Sequence, residues 1–298
     1  MNDQANDQAI NKAPGDQESA QDWNAWVGRT EVSADVAAAA PLAMLSATLD
    51  RADAPCVSGD EVPALWHWLF FTPRARQSEI GADGHPKRGD FLPPIPLPRR
   101  MWAGGRLDFH HLLKVGDAVS RTSQIAAVSS KQGRSGRLAF VTVRHEISDA
   151  AGLAITEEHD IVYRDAATPG EPAPSGLKAP TDEHFSRVIV PDPVLLFRYS
   201  ALTFNGHRIH YDRKYAETVE QYPGLIVHGP LIATLLLDLL RREKPDLRVT
   251  RFVFKGVKPL FDLTPFVVCG RVDSEHQVSL WAKDHLGQLA MQATADFA

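Results

Sequence analysis

Residues 199–212 read Tyr199-Ser-Ala-Leu-Thr-Phe-Asn-Gly-His-Arg-Ile-His-Tyr-Asp212, and a second motif, Tyr222-Pro-Gly-Leu-Ile-Val-His-Gly-Pro230, follows closely. Together they gather an amide (Asn205), three imidazoles (His207, His210, His228) and a carboxylate (Asp212). An imidazole titrates near neutral pH and can move a proton there. The run from Leu225 to Leu240 is apolar enough to form a buried helix. Exposed N–H groups at the start of such a helix favour negative charge. A polar loop feeding that helix is suited to gripping a carbonyl oxygen while a proton moves beside it.

Other chemistries fit less well. His207, His210, His228 and the His110-His111 doublet have no HExxH frame and no cysteine support, which argues against a metal. Phosphate loops of the GxGxxG or GxxxxGKS/T type are absent, and Trp102-Ala-Gly-Gly-Arg106 lacks their spacing, so no cofactor is expected. Ser186 and Ser200 sit in no nucleophile elbow. Arg99, Arg100 and Arg208 are either solvated charges or a bidentate clamp for a substrate carboxylate.

The elements that must position these groups are read from the rest of the chain. At 298 residues, 44% hydrophobic and 23% charged, it has the composition of a globular protein with one large or two ordinary domains. A net charge of −5 offers no general attraction to nucleic acid or an anionic membrane. Cys56 and Cys269 are far apart, which fits neither a disulfide framework nor a thiolate cluster and makes the cytoplasm the simplest compartment. The run from Gly224 to Leu240 is too short and too interrupted, by His228, Pro230 and Asp238, to span a membrane.

Residues 1–20 lack both an apolar core and a basic start and read as a disordered tail rather than a secretory signal. Trp23 to Leu49 reads as mostly helical, with Ser33 as a candidate N-cap. A second apolar segment covers 63–71. The loop from Thr72 to Arg100 is too long for a plain connection and reads as a functional cover. Strand patterns follow at 118–128, 137–147 and 153–163, and a linker rich in Pro, Gly and Ala at 168–180. The second half opens on a strand-like entry at 194–199, runs through the polar loop and buried helix, and ends in strands at 247–257, 265–273, 277–284 and 288–297. Its last turn, Asp284-His-Leu-Gly-Gln-Leu-Ala290, echoes Asp149-Ala-Ala-Gly-Leu-Ala154 with one residue inserted. The simplest geometry is two similar α+β units, each an antiparallel sheet wrapped on a long helix, joined edge to edge.

The two motifs above, with Pro98-Arg-Arg-Met-Trp-Ala-Gly-Gly105, resemble the MaoC-like hydratases. They look most like the branch that holds mesaconyl-C4-CoA hydratase, itaconyl-CoA hydratase and the mitochondrial hydroxyacyl-thioester dehydratases. The resemblance covers nearly everything after the tail. It implies a double hotdog fold, with a first hotdog at 21–167 that shapes the substrate pocket and a catalytic one at 181–298. It also implies reversible hydration of an enoyl-CoA thioester. His210 matches the family's histidine. The family's aspartate, five residues earlier, is here Asn205, and an amide cannot trade a proton as a carboxylate does.

On this footing His210 is the expected base, Asn205 holds the attacking water and the Gly229 N–H stabilises the thioester oxygen. Asp212 or Tyr199 is the candidate to orient the imidazole. His228 either lines the oxyanion position or merely caps the helix, and His207 supports rather than reacts. Trp102, Arg99, Arg100 and Arg208 are the further substrate-binding candidates, and basic residues from Arg241 to Lys258 are mostly ordinary surface charges. The expected partner is an acyl-CoA, most simply a branched C5 dicarboxylyl ester. Rivals are a dehydratase of fatty acid synthesis, a hotdog thioesterase and a silent CoA-ester binder. Monomer and homodimer both remain open.

Overall fold

Alternating apolar and polar residues over strand lengths produce ten strands in the computed structural model, which describes residues 23–87, 89, 91–133, 136–165 and 176–298. The expected tail, and residues 168–175 of the expected linker, lie outside the described residues. In the first half the strands are β1 (Thr30–Val36), β2 (Arg99–Phe109), β3 (Ala118–Gly133), β4 (Gly136–Asp149) and β5 (Gly152–Arg164). In the second they are β6 (Phe185–Ile189), β7 (Val249–Gly256), β8 (Phe266–Ser274), β9 (Gln277–Lys283) and β10 (Leu289–Phe297). All belong to one antiparallel sheet of order β1-β3-β4-β5-β2-β7-β10-β9-β8-β6. The five strands of each half stay together, and the halves meet where β2 pairs with β7, from Gly104↔Lys255 to Asp108↔Arg251. A Cβ at Gly104 would lie 2.6 Å from the Phe254 carbonyl oxygen, so the seam itself demands a residue without a side chain.

The echoing turns are built alike. Asp149 Oδ1 accepts from the Ala151 N–H and Asp284 Oδ1 from the Leu286 N–H, two residues on in each case. Gly152 and Gly287 follow with positive φ. Each aspartate's second oxygen meets a basic side chain from just beyond the seam strand of its own half, His111 for Asp149 and Lys258 for Asp284.

The long helix α4 (Gly229–Glu243) is buried at every position from Leu231 to Leu240. A helix apolar on all sides has no solvent face to offer and must be the core. The one charge on that buried run, Asp238, accepts from Arg51, Arg187 and Arg242. The first half departs from the expected plan, because among its described residues the only α-helix is the shorter α1 (Ala39–Thr48). Between α1 and β2 the only helical turns among the described residues are 3-10, at Trp66–Leu69 and Gln77–Glu79. Pro86, Pro93, Pro94, Pro96 and Pro98 remove the donors and dihedral freedom that a helix would need there.

Two local expectations are corrected. Ser33 caps nothing. It sits inside β1 paired with Arg121, because Thr30, Val32 and Val36 suit a strand and β3 supplies the ladder. The strand-like entry at 194–199 is instead helix α2 (Pro193–Leu202), whose Asp192 side chain accepts from the Leu195 N–H with Pro193 in the first turn. The strand precedes it, as β6. α1 and α2 pack on each other. Among the described residues no helix is long and apolar enough to cross a membrane.

Candidate active site

Helix α4 begins without a side-chain cap: His228 holds the N-cap position, Gly229 and Pro230 follow, and no cap hydrogen bond forms. Ile232 N–H is satisfied by the His228 carbonyl. The Gly229 and Leu231 N–H groups have no hydrogen-bond partner among the described residues, and Pro230 has none to offer. Around Gly229 an added Cβ would meet only the Trp102 carbonyl oxygen, at 3.7 Å. The start of the helix is therefore an open pair of donors at the positive end of its dipole, facing β2 across the seam.

The polar loop presents its imidazoles to this point. Phe204 takes a left-handed φ of 49°, which turns the chain so that the Asn205 N–H reaches the Ser200 carbonyl. Asn205 Oδ1 then accepts from the His207 N–H at 3.0 Å, leaving its amide N–H groups to donate. His210 lies in a 3-10 turn (Arg208–His210) with Nδ1 2.8 Å from the Ile226 carbonyl oxygen. A carbonyl only accepts, so Nδ1 carries the proton and Nε2 offers its lone pair. His210 stacks on His228 at 3.6 Å between centroids, and His228 hydrogen-bonds Ser200 Oγ at 2.8 Å.

Burial disfavours charge throughout this group. It pushes His210 down to about 4, against the Ile226 carbonyl, which pulls upward, and with help from the charge of His85. His207 falls to about 2 through burial, then His85, His210 and Arg100, with Asp83 opposing. His228 drops well below its ordinary value through burial and the neighbouring His210 and His207. At neutral pH all three are uncharged.

The expected orienters of His210 do other work. Tyr199 is buried with its ring 5.1 Å from His228, not against His210. Asp212 accepts from Arg208 and caps the short helix α3 (Arg213–Thr218) through the Tyr215 N–H. The Ile226 carbonyl takes their place, a backbone group that no sequence motif advertises.

Two residues of the first half were not anticipated. Asp83 and His85, in the long loop before β2, hydrogen-bond each other (Oδ2 to Nδ1, 3.0 Å), and the His85 ring lies 4.0 Å from His207. The loop is fastened to the second half by the Arg208 N–H on the Asp83 carbonyl and by Arg208 Nη1 on the Ala82 carbonyl. At the contact a Cβ on Gly84 would stand 1.8 Å from the Gly206 oxygen, and one on Gly206 would stand 2.7 Å from the Gly84 oxygen. Two glycines let the backbones touch. Asp83, His85 and His207 bring one ligand atom each within 4.8 Å of one another. The Asp83-Gly-His-Pro86 turn was the available signal.

The arginines separate by partner. Arg99 donates to the Glu220 carbonyl and lies over the Tyr222 ring. Arg208 is held by Asp212 and covers Tyr215. Arg100 has no hydrogen bond or ion pair among the described residues, and its charge reaches His207. Of the outlying basic residues, Arg241, Arg242, Arg251 and Lys258 are ion-paired within the chain.

Trp102 points away from the loop. Its ring lies 3.9 Å from that of His159, tilted by 35°, and its indole N–H donates to the Gly104 carbonyl. His159 belongs to a second polar group, centred on buried Glu157, which also meets His67 (3.0 Å) and the Trp68 indole N–H (2.8 Å). His145 links His159 to Ser123.

A family model for hydroxyacyl-thioester dehydratase type 2 matches residues 65–262, a span that holds the loop of His85, the seam and the whole polar loop. Mesaconyl-C(4)-CoA hydratase of Chloroflexus aurantiacus is 47% identical over 279 residues, covering 93% of this chain and 99% of that protein. The mitochondrial hydroxyacyl-thioester dehydratase type 2 of Schizosaccharomyces pombe is 29% identical over 265 residues, covering 79% of this chain and 88% of its own. Among solved structures, a MaoC-like dehydratase superposes with a TM-score of 0.72 at 16% identity, covering 92% of this chain and 99% of its own. A Mycobacterium tuberculosis protein described as a double hotdog gives 0.56 at 11% identity, over 91% and 96%. The chain is therefore a hydro-lyase with a double hotdog fold, and it belongs to the hydroxyacyl-thioester dehydratase type 2 family.

Proposed function

We propose that this chain adds water reversibly to an enoyl-CoA, with mesaconyl-C4-CoA as the substrate and citramalyl-CoA as the product. One observation carries the mechanism: His210 gives its Nδ1 proton to the Ile226 carbonyl, so Nε2 is a fixed, neutral base. Water, held by the amide N–H of Asn205, loses a proton to Nε2 as its oxygen bonds the β-carbon. The π electrons move onto the thioester oxygen, and the Gly229 N–H stabilises the charge that forms. A donor of this kind is typically worth about 2.7–4 kcal/mol of barrier. The α-carbon then takes a proton.

The acyl group is argued from charge. In mesaconyl-C4-CoA the free carboxylate sits on the carbon that water attacks, so its anchor must lie beside the base. Arg100 meets that demand better than Arg99 or Arg208, whose guanidinium groups are already engaged. The relative that is 47% identical over nearly its full length carries the same activity in its name, which supports the reading. A fatty 3-hydroxyacyl-thioester dehydratase is the second reading, supported by the family model and the fission-yeast relative. The first half would shape the acyl and pantetheine pocket. A cytoplasmic chain, monomeric or homodimeric, with no nucleic acid or membrane partner fits the net charge of −5.

The test is a panel of enoyl-CoA esters with and without a distal carboxylate, followed by loss of the conjugated thioester absorbance. Preference for mesaconyl-C4-CoA over crotonyl-CoA is expected. Equal or better turnover of long unbranched enoyl thioesters would move the assignment to the second reading.

A further inference from the structure

His228 takes no part in the hydration as drawn, although it stands beside both reacting groups. Its ring stacks on that of His210, and its backbone leads directly into Gly229. The side chain is buried, 1% exposed, yet its Nδ1 has no hydrogen-bond partner among the described residues. A polar atom left in this way inside a native protein calls for an explanation. Here it belongs to the first residue of the open end of α4, where the Gly229 and Leu231 N–H groups are also unpaired among the described residues.

Which nitrogen carries the proton follows from a serine. Burial, with His210 and His207 nearby, keeps this imidazole neutral, so it holds a single N–H. Nε2 lies 2.8 Å from Oγ of Ser200, which is buried on α2. If Nε2 donated to the serine, the serine O–H would lack an acceptor and Nδ1 would lack a donor. If the serine donates to Nε2, only the Nδ1–H is unmet. The second arrangement leaves fewer buried groups unsatisfied and is the more stable. The helix does not engage Nδ1, since no side-chain cap bond forms.

We infer that His228, through Nδ1–H, is a second donor to the thioester oxygen beside the Gly229 N–H, and that Ser200 is the positioning residue that fixes its tautomer. The inference rests on the hydratase reading above and deepens it. Nδ1 and the Gly229 nitrogen are joined through a few covalent bonds, so an oxygen that meets one lies near the other. A carbonyl oxygen has two lone pairs and accepts from both donors as charge develops on it. The stacking supports the same geometry. The two rings are nearly parallel, and each is tied at one edge, His210 to the Ile226 carbonyl and His228 to Ser200. Base and donor are thereby held against each other. No proton leaves His228: its hydrogen bond tightens while the enolate exists and slackens when the pair returns to the α-carbon.

Two substitutions separate donation from packing. Asparagine carries an amide nitrogen where histidine has Nδ1, and glutamine carries one where histidine has Nε2. With mesaconyl-C4-CoA, His228→Gln should lose roughly 10²–10³ in kcat, the usual cost of one such donor. KM should change little, because the bond is made mainly in the transition state. His228→Asn should recover most of the loss and stay within about tenfold of wild type. Ser200→Ala should lose roughly tenfold, the scale of one hydrogen bond. A His228→Gln protein as active as His228→Asn, or more so, would reduce the ring to packing and overturn the proposal.

Nitrogen-15 NMR of the wild-type imidazoles decides the matter even if the variants fold poorly. His228 should be the Nδ1–H tautomer, and its Nδ1 proton should move downfield when the saturated thioester methylsuccinyl-CoA binds. An Nε2–H tautomer, or an Nδ1 proton unmoved by bound thioester, would overturn the proposal. Near-normal turnover by His210→Ala in the same assay would instead overturn the hydratase reading, so the two failures are distinguishable.

Discussion

Each half of this molecule buries a group of imidazoles, and the two groups are opposites. In the first half, His67, His159 and the Trp68 indole surround Glu157, a carboxylate only 2% exposed. Burial would raise that carboxyl, but the charge and hydrogen bonds of His159, with those of His67, hold it well below the ordinary range. Both oxygens of Glu157 are satisfied, though the buried His67 Nδ1 meets no partner among the described residues, and a carboxylate held from three sides stiffens the core. In the second half, His210 and His228 have no carboxylate in contact. Their partners are a carbonyl and a hydroxyl, and beside them the N–H groups that open α4 stay unpaired among the described residues. Clustered histidines alone do not mark a reactive site. What marks it is a lone pair kept available beside donors with nothing yet to bind.

The sharpest way to break this contrast is to truncate one residue from each group. His210→Ala should cost roughly 10²–10⁴ in turnover with little loss of stability, read by steady-state kinetics beside a denaturant melt. Glu157→Gln should do the reverse. Removing one member of a buried ionic group typically costs about 3–5 kcal/mol, so the midpoint should fall sharply while the folded fraction keeps its kcat. If instead Glu157→Gln destroyed turnover in a fully folded protein, the first-half network would have to count as a second reactive centre.

A smaller effect sharpens the contrast at its edge. Arg100→Gln should raise KM for mesaconyl-C4-CoA by roughly tenfold or more, the value of a hydrogen bond to a charged group, and leave KM for crotonyl-CoA unchanged. The smallest is in the pH dependence of stability. His210 titrates at about 4 in the folded chain against 6.5 ordinarily. Between those values the unfolded chain binds a proton there that the folded one does not, so stability falls as pH drops through that window. Glu157 is depressed too, and it stabilises above its unfolded value and loses that contribution only as pH falls toward its folded one. Acid unfolding curves of wild type and His210→Ala should therefore diverge first between pH 6.5 and about 4.

Much was legible before any coordinates. The strand patterns from Ala118 onward, the echoing Asp149 and Asp284 turns and the apolar run from Leu225 to Leu240 all signal locally, through period, turn chemistry and hydropathy. His210 and Gly229, the base and oxyanion donor proposed above, could be singled out because they lie in short motifs, and the structure brings them to the start of one helix. The Thr72–Arg100 loop was read as a functional cover, and it does carry Asp83 and His85 onto the polar loop. Errors fell where long-range pairing outweighs local preference. Ser33 looked like a cap until β3 claimed it for a strand.

Residue types and spacing by themselves decided the fold class and the family, and singled out the imidazole proposed as the base, because each is written in local patterns. Tertiary structure alone decided which partner each side chain meets. That Ile226 offers its carbonyl to His210, that Glu220 and Asp212 engage Arg99 and Arg208, and that His85 comes to lie on His207 from 122 positions away depends on how the two halves close over one another. A protonation state is set by those neighbours, and neighbours distant along the chain leave no mark in local sequence.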